Sequence, residues 1–272
     1  MIYCQEVNRA TSDNVCRDSL YSIIFEPYSI KTEKITIKIS KIPSNEKIKI
    51  VHISDLHFHN IGERELNTIR IIEKLNPDII AITGDLIEKR ESIDELLDFL
   101  DKMRRIAQVY LVYGNWDHES GANLTDLKNK IEALDVEVLI NENVKAKVNE
   151  IELYIIGVDD PSTGKANLEK ALENVPSDAL TILLAHSPEI IDEAASHKID
   201  LVLVGHTHGG QVVIPGYGPL FLPVSKEYRK YASGLFKIDS TYMYVNRGLG
   251  TSILPVRLFC PPEITLIVLE GT

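Results

Sequence analysis

Apolar residues along the chain recur at two periods, and the period switches repeatedly. Ile35, Ile37 and Ile39 alternate with Thr36 and Lys38, which predicts a half-buried strand. Pro43-Ser44-Asn45 supplies turn chemistry, and residues 48–53 form the next strand, ending at Ser54-Asp55. Leu66, Ile69, Ile72 and Leu75 then recur at helical spacing, which predicts a helix over Glu63–Leu75. Asn76-Pro77 stops it, because the residue before a proline avoids the α region. Ile79–Thr83 is a continuous apolar run, the pattern of a strand covered on both faces.

The alternation continues. Helices are predicted over 93–105 and 124–134, with shorter ones from 168 and over 189–195. Strands are predicted over 109–113, 144–148, 153–157, 181–185 and 201–204. The last quarter differs: strand-like runs at 211–214, 234–238, 242–246 and 264–269 have no long helix between them. The pattern therefore predicts an α/β first part and a β-rich second part sharing one core. No internal repeat, low-complexity segment or linker interrupts it. Residues 1–30 read as a poorly structured N-terminal extension and 31–272 as a single domain. The irregular stretch 215–233 is long for a compact domain, and such loops are usually functional or mobile.

Composition narrows the partners. The 272 residues include 29 Lys+Arg and 40 Asp+Glu, a formal net charge of −11. Such a chain has no electrostatic reason to coat nucleic acid or an anionic membrane. Three irregularly spaced cysteines, Cys4, Cys16 and Cys260, suit neither a disulfide framework nor a zinc ribbon, so a reduced, cytoplasmic setting is expected. No stretch approaches the ~20 apolar residues that span a bilayer. The apolar run within 19–28 ends at Glu26-Pro27 and is too short and polar for a signal peptide.

Candidate chemistry clusters at strand ends. Asp55 and His57 follow the first buried strand, Asp85 the second and Asn115 the third. His186 follows the fourth, and His206 and His208 the fifth. Open α/β sheets bind ligands beyond the carboxyl ends of their strands. A small residue precedes each block: Ser54, Gly84, Gly114, Ala185 or Gly205. Imidazole, carboxylate and one amide oxygen make a ligand set for Mn, Fe, Zn or Co. Seven donors exceed the four usual for one zinc and suit two ions sharing a carboxylate.

These blocks resemble those of calcineurin-like metallophosphoesterases: Asp55-Leu56-His57, Gly84-Asp85, Gly114-Asn115, His186 and Gly205-His206-Thr207-His208. Gly205 to Gln211 (GHTHGGQ), with Arg247 to Thr251 and Pro255-Val256-Arg257, resembles a bacterial and archaeal branch. That branch is similar to phosphodiesterases and UDP-diacylglucosamine pyrophosphate hydrolases. Many of its members carry an N-terminal membrane segment, which is not expected here. The resemblance implies an α/β fold, a four-layer αββα sandwich with mixed sheets. It implies two divalent metal ions, with Mn favoured. Asp55, His57, Asp85 and His208 would hold one, and Asp85, Asn115, His186 and His206 the other. The implied reaction is hydrolysis of phosphate mono- or diesters, or pyrophosphate bonds, by in-line attack of a metal-bound hydroxide. A small-molecule phosphoester is the expected partner, and oligomeric state stays open. The alternative is a non-catalytic binding or scaffold module that keeps the fold.

One block departs from the family. Its third block usually reads Gly-Asn-His, where this chain has Gly114-Asn115-Trp116-Asp117-His118. The family histidine is associated with the phosphate or the leaving group. Either His118 supplies that imidazole, or no side-chain acid is present and good leaving groups are preferred. Trp116 is expected to form a pocket wall or a stacking platform for a ligand, and His59 to lie in a solvated loop or behind a ligand. His52 and His197 are expected to be structural. Lys226, Tyr228, Arg229, Lys230, Tyr231, Arg247 and Arg257 are further candidates for phosphate contact.

Overall fold

The computed structural model describes residues 21–272, so the first twenty residues, including Cys4 and Cys16, lie outside it. Strands β1 (Lys31–Lys38), β2 (Lys47–Ile53), β3 (Ile79–Thr83), β4 (Gln108–Val112) and β5 (Glu137–Val138) belong to one sheet. Strands β6 (Glu142–Val148), β7 (Ile151–Gly157), β8 (Thr181–Leu184) and β9 (Leu201–Val204) belong to a second. A short hairpin, β10 (Val213–Ile214) with β11 (Gly218–Pro219), stands apart from both. The last strands are β12 (Gly234–Ile238), β13 (Thr241–Val245) and β14 (Glu263–Glu270). The helices are α1 (Glu63–Leu75), α2 (Ile93–Arg104), α3 (Asn115–Glu119), α4 (Leu124–Glu132), α5 (Leu168–Ala171) and α6 (Ile191–Ser196).

Each sheet has six strands, in the orders β1-β14-β2-β3-β4-β5 and β12-β13-β9-β8-β7-β6. Both are mixed. Strand β14 is antiparallel to β2 and parallel to β1, while β2, β3, β4 and β5 run parallel. In the second sheet β7, β8, β9 and β13 run parallel, with β6 and β12 antiparallel at the edges.

The continuous apolar runs are explained by the pleat, which sends successive side chains to opposite faces. Ile79 and Ala81 enter the core between the sheets, with Ile182, Leu184, Leu201 and Leu203 opposite. Ile80 and Ile82 face outward onto α1 and α2, packing near Ile72, Leu96 and Leu100. In the second sheet Leu183, Val202 and Val204 point away from the first and pack with Ile191 and Ala194. Three apolar clusters thus separate four layers, helix, sheet, sheet, helix. Burying two faces per strand is the main favourable term holding the layers together.

Of the strand-like runs in the last quarter, the one at 211–214 falls in the separate β10-β11 hairpin and the other three join the two sheets. Strands β12 and β13 extend the second sheet, whereas β14 inserts between β1 and β2 in the first. Periodicity identifies a strand but not its neighbours. Residues 21–30 contribute turns: helical turns run over Tyr21–Phe25 and Glu26–Tyr28, and Glu26 is buried. The Arg257 amide donates to the Ser22 carbonyl, and the Cys260 amide to Glu26 Oε1 at 2.7 Å.

Candidate metal centre

The parallel order of β2, β3 and β4, and of β8 and β9, brings their carboxyl ends to one edge of the sandwich. Asp55 and His57 follow β2, Asp85 follows β3, and Asn115 opens α3 after β4. His186 follows β8, and His206 and His208 follow β9. All these residues except Asn115 are buried. Ligand atoms of Asp55, His57, Asp85 and His208 lie within 4.8 Å of one another, as do those of Asp85, His186 and His206. Asp85 belongs to both groups, so six of the seven expected donors meet in a bilobed centre with Asp85 in the middle, and Asn115 lines the same cavity as Asp85.

Close packing is built into the backbone. A Cβ on Gly205 would meet Ser54 Oγ at 1.8 Å, and one on Gly114 would meet Asp85 Oδ1 at 2.3 Å. Asp55, His57, Asp85, His206 and His208 all adopt positive φ, between 42° and 68°. Side chains other than glycine's rarely hold that conformation without strain, and strain of this kind clusters at functional sites.

Hydrogen bonding sets which imidazole nitrogen faces inward. His186 Nδ1 donates to the Thr83 carbonyl at 2.8 Å, and His206 Nε2 to the Pro223 carbonyl at 2.8 Å. A carbonyl only accepts, so the proton sits there and the other nitrogen is turned inward. Those two nitrogens, His206 Nδ1 and His186 Nε2, lie 3.1 Å apart, as do His57 Nε2 and His208 Nε2. Asn115 Oδ1 is buried without a hydrogen-bond partner. Converging ring nitrogens and an orphaned amide oxygen fit divalent cations.

The electrostatics agree. Burial alone would raise Asp85, but His186, His57 and His206 hold its carboxyl down to about 2. Burial disfavours the charged form of His186, yet Asp85 outweighs it and raises the imidazole to about 10. Burial, reinforced by His57, holds His208 well below its usual value, and burial with His186 lowers His206. Burial raises Asp55, with Asp85 adding to it. Without a cation the site therefore stores a proton on His186 against the Asp85 carboxylate, 3.1 Å away.

Above the centre opens a cavity of about 250 Å³. Asp85, Asn115, His206 and His208 line it on the cluster side, and Trp116, Phe221, Pro223 and Ile253 are its apolar walls. Among the described residues no Lys or Arg lines it, and Glu119 contributes a carboxylate. A second pocket of about 230 Å³, lined by His59, Glu88 and Thr251 among others, shares Trp116 and Ile253 with the first.

Trp116 is thus a wall, as expected, but His118 is turned away from the cavity. Its Nε2 pairs with Asp159 Oδ1 at 2.7 Å, and it is absent from the cavity lining. Helical geometry explains this: Asn115, Glu119 and Trp116 span an arc of about 100° on α3, and His118 falls about 60° outside it. Arg257 does not reach the cavity either. Its guanidinium is fully buried and donates to the carbonyls of Gly250, Cys260, Arg247 and Gly248. Arg247 pairs with Glu263 and Glu33. Tyr228 donates to Asp192, and Lys230 lies over the Tyr231 ring. None of Lys226, Tyr228, Arg229, Lys230 and Tyr231 lines the cavity, which takes Phe221 and Pro223 from that loop instead. His52 is buried in its strand, as expected, and burial lowers its imidazole to about 3.

Sequence reasoning missed three acidic residues. Glu88 Oε1 lies 3.1 Å from His57 Nδ1, and Glu88 Oε2 lies 3.4 Å from His59 Nε2. Asp117 accepts from Leu86, Ile87 and Gly114 amides and ties the second block to the third. Its place three residues after Gly114 was the available signal. Asp159 and Glu88 have none, because their partners are distant in sequence.

A four-layer α/β sandwich with a bilobed Asp/His centre at its strand ends defines a metal-dependent hydrolase. Comparison with known proteins gives the family: its sequence model, calcineurin-like phosphoesterase, matches residues 48–210, more than half of the chain. The chain belongs to that family and is a hydrolase of phosphoesters. It is 33% identical over 260 residues to metallophosphoesterase YkuE of Bacillus subtilis, covering 93% of this chain and 90% of the relative. It is 29% identical over 227 residues to phosphodiesterase YaeI of Escherichia coli, covering 81% and 82%. Among solved structures it is similar to TT1561 of Thermus thermophilus, with a TM-score of 0.51 at 14% identity, covering 75% and 91%.

Proposed function

We propose that the chain hydrolyses phosphodiesters with two divalent ions, one held by Asp55, His57, Asp85 and His208 and the other by Asp85, Asn115, His186 and His206. The sharing of Asp85 between two ligand groups, with Asn115 Oδ1 orphaned beside them, carries this reading. Bound there, such ions supply Lewis-acid charge to a phosphoryl group and lower the pKa of water. The chain's own residues do the positioning. Thr83 and Pro223 hold the His186 and His206 rings with His186 Nε2 and His206 Nδ1 turned inward. Asp85 Oδ1 accepts from the Trp116 amide, which fixes the shared carboxylate to α3. Trp116, Phe221 and Ile253 form apolar walls above the centre. Mn, Fe, Zn and Co all suit these donors, and Mn is the first choice for reconstitution.

The lining favours diesters. Among the described residues a phosphomonoester dianion meets no Lys or Arg in the cavity, and it faces the Glu119 carboxylate. A diester carries one negative charge fewer and has two organic arms for the two pockets flanking Trp116. Turnover of bis(4-nitrophenyl) phosphate by Mn-reconstituted enzyme is expected to exceed that of 4-nitrophenyl phosphate by at least tenfold in kcat/KM. A monoester preference would contradict this lining argument. His118, paired with Asp159, is read as holding α3 against the second sheet.

A further inference from the structure

Fourteen large apolar side chains are exposed among the described residues, and twelve fall in three short segments, 21–28, 214–221 and 253–259. These segments carry two charged residues, Glu26 and Arg257, and both are buried. In a chain with 25% charged residues, three adjoining segments without one exposed charge are a distinctive surface.

Hydrogen bonds hold the segments side by side. The Arg257 amide donates to Ser22, and the Val213 amide to Leu258. Gln211 Nε2 donates to the Ser252 carbonyl at 3.0 Å, and the Ser252 amide returns to Gln211 Oε1 at 2.6 Å. The surface is also continuous with the site. Phe221 and Ile253 line the cavity and are 63% and 80% exposed, so the same side chains form its wall and its outer rim.

We propose that this rim docks on the surface of a zwitterionic lipid bilayer, with the mouth of the cavity facing the headgroups. Monomeric proteins rarely expose contiguous apolar patches of this kind without a binding role. Tyr21, Tyr28 and Tyr217 bring rings with polar tips, the side chains that settle at a membrane–water interface. The net charge of −11 sets two copies of the chain against one another and against anionic lipid, which leaves a neutral surface as the fitting partner. No helix among the described residues is long and apolar enough to cross a membrane.

Co-sedimentation of the full chain with phosphatidylcholine vesicles tests this. The parent is expected in the pellet, and Phe221→Asp/Ile253→Asp/Leu254→Asp is expected to bind at least tenfold more weakly. Leu235→Asp, on β12 and outside the three segments, is expected to bind like the parent. If the triple variant melts early, the single substitution Phe259→Asp, at a side chain 61% exposed, carries the same comparison. A parent left in the supernatant, or rim variants that bind undiminished, would overturn the proposal. So would lipid-free self-association that the same substitutions abolish, which assigns the rim to a second copy. Stronger, salt-sensitive binding to vesicles containing phosphatidylglycerol, unaffected by the rim variants, would assign binding to basic side chains and also overturn it.

Discussion

Five of the seven candidate ligands sit at positive φ, Asp55, His57, Asp85, His206 and His208. Each costs about 1 kcal/mol or more, and the surrounding sheets must offset it. Residue identities alone brought these side chains to notice, but the strain and the tautomers come from tertiary contacts such as His206 with Pro223. The same holds for His118. Its distance from Trp116 in sequence suggested a substitute acid, whereas the turn of α3 points it at Asp159. His118→Ala is therefore expected to lower kcat less than tenfold, and equally for esters with good and poor leaving groups. A large loss confined to poor leaving groups would restore the acid role.

At the scale of elements, what the sequence displays is a strand's local pattern, and what it hides is the strand's neighbour. Residues 264–269 read correctly as a strand, yet nothing in them says that β14 lies between β1 and β2. The strand-end blocks were legible because parallel order places every carboxyl end on one edge. The segment 247–262 was not, since Arg257 resembles a phosphate ligand in sequence and is instead the bolt of its own loop. Its donors satisfy four carbonyls, including Gly248 and Gly250, which pack against Asp55 and Leu56. Arg257→Met is expected to destabilise the fold by about 3 kcal/mol or more, because buried carbonyls lose their donors. Chemical denaturation measures this; a change under 1 kcal/mol would contradict the bolt role.

Across the whole molecule, the net charge of −11 describes the solvated surface and says little about the centre. Two divalent ions would outweigh the Asp55 and Asp85 carboxylates there, so an acidic protein can present a cationic site to phosphate. Protons compete for it. His186 is raised to about 10 by Asp85, so it is protonated at neutral pH when no cation is bound. Cation binding must release that proton, and affinity is expected to rise with pH up to that value. Calorimetry in buffers of different ionisation enthalpy is expected to report release of about one proton from this site per chain. Binding without proton release would contradict the assignment of His186.

A shared two-ion centre is tested most directly by a titration. The initial rate of bis(4-nitrophenyl) phosphate hydrolysis is followed as Mn(II) is added to the metal-free chain, beside Asp85→Asn. The parent rate is expected to rise to a plateau at about two equivalents per chain, with the variant lower by about a thousandfold. A rate independent of metal, a plateau at one equivalent, or an Asp85→Asn variant as fast as the parent would contradict it.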